Sequence, residues 1–391
     1  MGVPLAGSRR RRRRPLVAAI AFGLVAGWGA VAPALGCERL RNAAADAAAH
    51  LRSVQQPSGL FAYGFDFATR TPLAGDNIVR QAGAAYALAE YYSFGRDDGV
   101  RASLIAALGA LTVRSIAFAG GALVSADGTP GGARAGATAL ALLAELHFFR
   151  AAGDGRFADM RDAWERGLRA LWRPGEGFRA GPGSRRTSDY FNGEIWLALA
   201  FLEATTEEPA LAAWLVGVDG DLTAIYDRAP AIGFFHWGVM AAAERHARTG
   251  DAKLAAFARD QTRAYLRDLR PRMHATANTC YALEGLVTVR GLSDDGNADG
   301  FDGWLDRRIE AELAKNLDLM IRPGRPPLVG EGGGSFVSVD LGRYRGAFLA
   351  GGDRAFTRID HTQHCLSALV RALRFGICPP AAAADPGRGR R

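Results

Sequence analysis

The sequence predicts an all-α fold in which six helical hairpins close into a double ring. Apolar periodicity marks twelve helical segments along the chain. Amphipathic segments alternate with segments that are apolar nearly all round, which is typical of outer and buried helices respectively. Ten prolines fall in the connections between segments, where they interrupt no helix. Six amphipathic-then-buried pairs therefore indicate an inner ring of six helices inside an outer ring of six.

The outer segments each carry one apolar face. The first places Leu40, Ala44 and Leu51 on the same side of a helix. The last keeps an i,i+4 stripe from Leu305 to Leu317. The six outer segments are predicted at 37–56, 99–117, 155–171, 209–227, 251–270 and 302–321.

The inner segments are rich in alanine and leucine on all sides, which predicts burial. They are predicted at 77–94, 136–151, 190–204, 232–248, 276–290 and 361–375. An open solenoid of helical pairs is the alternative architecture. Unequal repeat lengths favour the closed ring, because a solenoid is typically built from more uniform repeats.

The net charge of +8 does not indicate a nucleic-acid-binding protein. Six arginines lie at 9–14, and the tail after Cys378 adds a further charge of +2. The body between residues 37 and 378 is therefore neutral. A neutral body lacks the basic surface that phosphate binding requires, which excludes nucleic acid as the main partner.

The N-terminus predicts export. Six arginines precede an apolar stretch at 16–35, which is typical of a secretory signal over residues 1–36. An uncleaved signal anchor is the alternative, and the ending Gly36-Cys37 also leaves lipidation of Cys37 open. Residues 379–391 are expected to be a disordered tail. We expect a periplasmic, cell-envelope or secreted monomer that touches a membrane only through this terminus.

The order of the helices resembles that of the (α/α)6 toroids, in particular the six-hairpin glycosidase superfamily and related polysaccharide lyases. Segments 77–83 and 362–369 are similar to inner helices of such proteins. The resemblance covers residues 37–378 and implies a single toroid domain with carbohydrate-active chemistry. In a toroid Cys37 and Cys378 lie on one face at the ring closure, where a disulfide would join the termini. This bond competes with lipidation of Cys37.

A cleft is predicted on one rim of the ring. Long connections at 57–76, 118–135, 173–189 and 322–360 share this rim, where sites on rigid scaffolds usually lie. The inner helices begin at the same rim with polar residues and continue with alanine and leucine. Their N-termini also direct N–H donors into the cavity.

Three carboxylates are candidates for acid–base catalysis. Glu194 lies beyond the capping position of a helix expected to be buried, where a charge needs a partner or a task. Asp189 or Asp76 is the candidate second carboxylate, although both also fit the role of a helix N-cap. Two carboxyl groups in a sugar cleft act as general acid and as base or nucleophile.

The other polar side chains at this rim are expected to bind substrate. Arg80 can hold a uronate or sulfate group bidentately, or it neutralises Glu194. Glu331 lies in the longest loop, from which a lid would bring it over the cleft. The remaining predicted binding residues, including two aromatic side chains for ring stacking, are Asn77, Gln81, Tyr190, His236, Trp237, Asn278, His361 and His364.

Residues 295–306 match a calcium-binding loop, D-x-[DN]-x-[DN]-G with an acid at position 12. An elongated turn is the alternative, and a bound Ca²⁺ would be structural because this loop lies on the face opposite the cleft. The predicted ligands are Asp295, Asn297, Asp299, Phe301 and Asp306.

A second metal hypothesis concerns the two internal cysteines. Cys280, His364 and Cys365 form a zinc set similar to that of lanthionine cyclases, which use a related toroid. Buried or disulfide-bonded cysteines are the alternative for an exported protein.

These observations together predict an exported, glycoside hydrolase-like enzyme that needs no cofactor. Its predicted partner is a poly- or oligosaccharide, with an acidic saccharide as one option. Lyase and epimerase chemistry fit the same cleft. The alternative function is a non-catalytic toroid of the cell envelope that binds glycans or proteins.

Overall fold

A computed structural model describes residues 31–271, 276–292, 300–322 and 340–378, with side chains from residue 36 onward. The described ranges contain twelve α-helices, as the periodicity predicts. The six inner helices are α2 (Ile78–Gly95), α4 (Ala135–Ala152), α6 (Asp189–Thr206), α8 (Ile232–Thr249), α10 (Cys280–Arg290) and α12 (Ile359–Arg374).

The outer helices each begin the hairpin that the following inner helix completes. They are α1 (Val31–Ser53), α3 (Asp98–Val113), α5 (Ala158–Arg169), α7 (Pro209–Arg228), α9 (Ala252–Ala264) and α11 (Phe301–Asp318).

The inner helices form a closed ring. Each of them packs against the next, and α12 packs against α2 to complete the circle. Every residue of α4 from Ala135 to Phe148 is buried, whereas α3 buries one stripe that includes Val100, Leu104 and Leu108. The closed double ring is thus confirmed, and the open solenoid is wrong.

The described residues also contain eight short strands, none of which the sequence predicts. Most of them lie in the predicted long connections, but Ser115–Phe118 overlaps the helix predicted at 99–117. The strands are β1 (Gly64–Asp66), β2 (Thr71–Pro72), β3 (Ser115–Phe118), β4 (Gly121–Val124), β5 (Trp172–Arg173), β6 (Gly177–Phe178), β7 (Leu349–Gly351) and β8 (Arg354–Arg358). Four of them form a sheet of order β2-β1-β8-β7, and β3–β4 and β5–β6 form two hairpins.

The four-stranded sheet joins the first and last long connections of the chain. Phe65 of β1 pairs with Thr357 of β8 in antiparallel register. This pairing fixes both connections above the N-terminal ends of α2 and α12, so that they form part of the rim.

All four cysteines form disulfides. Cys37 bonds to Cys378 with 5.0 Å between the Cα atoms, which confirms the predicted bond between the termini and leaves no sulfur for a lipid on Cys37. Cys280 bonds to Cys365 and joins the first turn of α10 to α12. The zinc set is therefore wrong, because a disulfide leaves no thiolate to bind the metal.

Several predicted features lie outside the described residues. They are residues 1–30 of the signal predicted at 1–36, the tail from 379 onward, Glu331, and the calcium-loop residues Asp295, Asn297 and Asp299. The last six residues of the predicted signal, 31–36, are described and form the start of α1. Among the described residues, no helix combines the length and apolar character needed to cross a bilayer.

Candidate active site

A cavity of about 770 Å³ opens at the N-terminal ends of the inner helices, on the predicted rim. All six inner helices contribute to its wall, together with the residues that precede α2, α10 and α12. Of the predicted site residues, those that line the cavity are Asp76, Asn77, Arg80, Tyr190, Glu194, His236, Trp237, Asn278, His361 and His364.

Glu194 lines the cavity from the second turn of α6 and is buried. Its Oε2 atom has no hydrogen-bond partner. A methyl group on Gly136 of α4 would overlap this carboxylate, so the glycine makes room for it. Burial raises the pKa of Glu194 well above its usual value of 4.5, since no cation offsets the desolvation. Burial therefore favours the neutral carboxylic acid form of Glu194, which is the form that can donate a proton.

His236 of α8 is fully buried in the cavity wall, and neither ring nitrogen has a hydrogen-bond partner. Burial lowers the pKa of His236 well below 6.5, with smaller contributions from His364 and Arg371. Its Nε2 atom lies 4.0 Å from Oε2 of Glu284. His236 is thus a neutral imidazole with a free nitrogen, which is the form that accepts a proton.

His364 of α12 forms an ion pair with Glu284 of α10. Its Nδ1 atom lies 3.1 Å from Oε1 of the carboxylate. Burial disfavours the charged imidazole, but the Glu284 carboxylate outweighs it and raises the pKa of His364 above 6.5. The ring centroids of His364 and His236 lie 5.6 Å apart. Glu284 therefore favours the protonated form of His364, whereas burial favours the neutral form of His236 in the same part of the cavity.

Glu284 was not among the predicted site residues. It is buried in α10, where its neighbours Leu283 and Leu286 belong to the core. The rule that singled out Glu194, a charge within an apolar helix, applies equally to Glu284. The sequence therefore held a signal for this residue.

Asp360 at the start of α12 is held by two arginines. Arg80 Nε lies 3.1 Å from Oδ2, and Arg358 donates to the same oxygen at 2.7 Å. Burial opposes ionisation, but the hydrogen bond from Arg358 and the neighbouring positive charges lower the pKa of Asp360 to about 2. Arg80 also donates to the Tyr63 hydroxyl. The predicted pairing of Arg80 with Glu194 is wrong, because Arg80 neutralises Asp360.

His361 lies beside this cluster. Its Nε2 atom is 3.5 Å from an Arg358 nitrogen, and its Nδ1 atom is buried without a partner. Burial lowers the pKa of His361 to about 4, since the nearby Asp360 carboxylate offsets only part of the desolvation. His361 is neutral and belongs to the rim above His364.

The two candidate second carboxylates lie in different places. Asp189 accepts a hydrogen bond from Tyr226 of α7 at 2.9 Å and does not line the cavity. Asp76 is exposed at the cavity rim, where its Oδ1 accepts from the Asn77 amide and from Gln81 Nε2. Of the two, Asp76 is placed to meet a molecule in the cavity.

Three of the predicted binding residues hold the rim together. Asn77 caps α2 by accepting from the Val79 amide at 3.0 Å. Gln81 is buried and exchanges two hydrogen bonds with the backbone of Phe61. Asn278 donates to the Leu349 carbonyl at 3.1 Å. These amides position the connections, and Gln81 does not reach the cavity.

Aromatic side chains occupy one side of the cavity. Tyr190 is exposed, and Trp237 is buried with its ring beside His236 at a centroid distance of 4.6 Å. Phe191 and Tyr281 also contribute to the wall. Such faces are suited to stacking against a pyranose ring.

The described residues contain one group of donor atoms that converges as in a metal site. The donors of His236, Glu284 and His364 lie within 4.8 Å of one another, and two imidazoles with a carboxylate suit a transition metal. The Glu284–His364 ion pair accounts for two of these three groups without a metal.

The described part of the predicted calcium loop is otherwise engaged. Asp306 accepts from Arg290 Nε at 2.6 Å. Phe301 begins α11, and the guanidinium groups of Arg259 and Arg263 lie over its ring. A calcium ion at this loop stays a prediction.

Comparisons with known proteins relate the chain by fold alone. No family model and no curated protein matches its sequence. An α-1,6-mannanase of glycoside hydrolase family 76 from Salegentibacter sp. superposes with a TM-score of 0.64 at 10% identity, covering 87% of this chain and 99% of the mannanase. A heparin-specific unsaturated glucuronyl hydrolase (TM-score 0.57, 11% identity) covers 85% of this chain and 96% of its own.

A D-mannose isomerase is similar to the same extent, with a TM-score of 0.60 and 10% identity over 91% of this chain and 100% of the isomerase. Their similarity to this chain confirms the predicted (α/α)6 toroid fold. An inactive form of the Salegentibacter mannanase carries substitutions at two adjacent aspartates. The described adjacent pair in this chain, Asp97–Asp98, begins α3 and does not line the cavity.

Proposed function

We propose that the protein is a carbohydrate-active enzyme that transfers protons to and from a saccharide bound in the central cavity. The observation that carries the proposal is the Glu194 carboxyl in the cavity wall, whose Oε2 atom is buried without a partner and whose pKa is raised by burial. A carboxylic acid kept protonated at neutral pH by burial is suited to general acid catalysis. The volume of about 770 Å³ lies within the usual range of small-molecule sites.

Hydrolysis of a glycosidic bond is the first candidate reaction. The Glu194 proton passes to the leaving oxygen as the bond from that oxygen to the anomeric carbon breaks. A water molecule attacks the anomeric carbon and gives its proton to Asp76, the rim carboxylate. Asp360 is a poorer base, because two arginines hold its pKa near 2.

Isomerisation or epimerisation of a free sugar is the second candidate, and the histidine pair supports it. Neutral His236 would take a proton from a carbon next to the sugar carbonyl, while protonated His364 donates a proton to the carbonyl oxygen, which gives an enediol. His236 then returns the proton to carbon, and His364 takes back a hydroxyl proton as the new carbonyl forms. The centroid distance of 5.6 Å lets both rings reach one sugar. The glucuronyl hydrolase and the mannose isomerase among the structural relatives stand for the two candidate chemistries.

One set of measurements separates these reactions. The purified protein is incubated with a panel of oligosaccharides and free sugars, alongside the variants Glu194→Gln and His236→Asn. Hydrolysis gives shorter chains by mass spectrometry and is lost in Glu194→Gln. Isomerisation gives deuterium uptake from D2O into the sugar carbon and is lost in His236→Asn.

A third outcome would contradict the enzyme proposal. Saccharide binding without any turnover, unchanged in Glu194→Gln, would instead indicate a glycan-binding toroid. The matched control is Glu165→Gln on the outer helix α5, where the carboxylate pairs with Arg169 and does not line the cavity.

We also propose that the protein is exported and monomeric. Two disulfides and an arginine-rich, apolar N-terminus support export, because disulfides persist mainly in oxidising compartments. Cell fractionation tests the location, and sedimentation analysis tests the oligomeric state. Recovery of the full-length chain from the cytosol with four free thiols would contradict export.

A further inference from the structure

The two halves of the cavity wall differ in chemistry. Ring order places α12, α2 and α4 side by side, and α6, α8 and α10 side by side opposite them. All four arginines of the described wall belong to the first half, which we name the arginine arc: Arg80, Arg134, Arg354 and Arg358. All four aromatic side chains belong to the second half, the aromatic arc: Tyr190, Phe191, Trp237 and Tyr281.

Half of the arginine arc is already neutralised. Arg80 and Arg358 both bind the Asp360 carboxylate, at 3.1 Å and 2.7 Å. A ligand would have to displace this buried carboxylate to gain both of their charges. These two arginines therefore shape the wall more than they attract an anion.

The other two arginines keep their charge available. Arg134 is exposed at the start of α4, where one guanidinium nitrogen donates to the neutral backbone carbonyls of Gly131 and Ala133. Arg354 of β8 is half-exposed and lies only loosely beside Asp353, at 3.8 Å. Both side chains line the cavity, Arg134 at the start of α4 and Arg354 on the strand that leads into α12, and these two helices flank α2.

We infer that the substrate is an anionic saccharide and that these two arcs fix its orientation. This inference rests on the proposed function. The pyranose ring packs against the aromatic arc, with its reacting atoms between Glu194 and His236. The oxyanion substituent, a carboxylate or a sulfate, points to the arginine arc, where Arg134 and Arg354 bind it. A guanidinium group binds such oxyanions bidentately, which gives direction as well as affinity.

Titration calorimetry on the Glu194→Gln protein tests this inference, because it measures binding whether or not turnover occurs. Matched oligosaccharides that are neutral, uronate-containing or sulfated are compared. We expect the anionic ligands to bind at least tenfold more tightly, with the preferred oxyanion identified by the uronate and sulfate arms. Arg134→Gln and Arg354→Gln should each weaken anionic binding about tenfold and leave neutral binding unchanged.

Arg166→Gln is the matched control, because Arg166 is also exposed and donates to a backbone carbonyl, that of Gly120, but does not line the cavity. Equal affinity for neutral and anionic ligands, or equal effects of all three arginine variants, would overturn the inference. Anion-selective binding without turnover in the native protein would sustain it and refute the proposed enzyme. Turnover without any preference for anionic ligands would sustain the proposed enzyme and refute the inference. If the protein showed neither turnover nor anion-selective binding, the proposed enzyme and the inference would both be refuted.

Discussion

Replacing Cys37 and Cys378 by alanine should lower the free energy of unfolding severely while leaving the cavity intact. The disulfide closes a loop with a sequence separation of 341 residues, against 85 for Cys280–Cys365. Loop-closure entropy then predicts a loss of about 6 kcal/mol for the terminal bond and about 4.5 kcal/mol for the internal one. Packing of α1 on α12 should keep the variant folded at low temperature.

Guanidinium denaturation under oxidising conditions measures both losses, and saccharide binding or turnover measures the cavity. Cys280→Ala/Cys365→Ala is the matched control, and its effect on the cavity should be larger. Cys365 directly follows His364, and Cys280 precedes Glu284 by one helical turn, so this bond positions the ion pair. A loss below about 1 kcal/mol for the terminal pair would refute the entropic reasoning.

Three further predictions concern pH and packing. Burial lowers the pKa of His50 to about 4, so the free energy of unfolding should be about 3 kcal/mol higher above pH 6.5 than below pH 4, and should fall as the pH drops between these values. In His50→Leu the melting temperature should depend less on pH over this range. Asp360→Asn should lower the free energy of unfolding by about 2 kcal/mol at pH 7. This difference between native protein and variant is present above pH 3.8 and vanishes as the pH falls through 2, and urea denaturation at pH 7 and at low pH measures it. Gly136→Ala should displace Glu194, cost about 1–3 kcal/mol and reduce turnover, whereas Gly217→Ala, which meets open space, should be neutral or stabilising. A flat pH response or an active Gly136→Ala protein would contradict these assignments.

The helices were predictable because apolar residues recur at regular spacing over long segments. The strands are too short to show such a pattern and were not predicted. The sequence predicts an outer helix over 99–117, but α3 ends at Val113 and Ser115–Phe118 forms β3. Ile116 and Phe118 favour strand, and Gly120 and Gly121 turn the chain back into β4, with Gly120 at a φ of 77°. A four-residue strand is too short for its alternation to stand out from the helical pattern beside it.

At the site, helical phase explains which predictions succeed. Tyr190 and Glu194 are four residues apart and share a face of α6, and both line the cavity. Asp189 and Glu194 are five residues apart, which places them about 140° from each other around the helix. Asp189 therefore turns outward to Tyr226. The partners of Arg80 and His364 come from other connections and helices, and local spacing carries no information about them.

The packing of α1 against α12 also decides when the protein can fold. α1 is synthesised first, yet its buried face, which includes Leu40, Ala47 and Leu51, has as its main partner the last helix of the chain, α12. The pairing of β1 with β8 likewise forms only after the last part of the chain has been synthesised. Contacts of such high sequence separation slow folding. Apolar surface that stays exposed until these contacts form is prone to aggregate. A chain that ends before α12 would therefore not close into a smaller ring. It would resemble a folding intermediate in which the apolar surfaces that α12 covers are exposed to solvent.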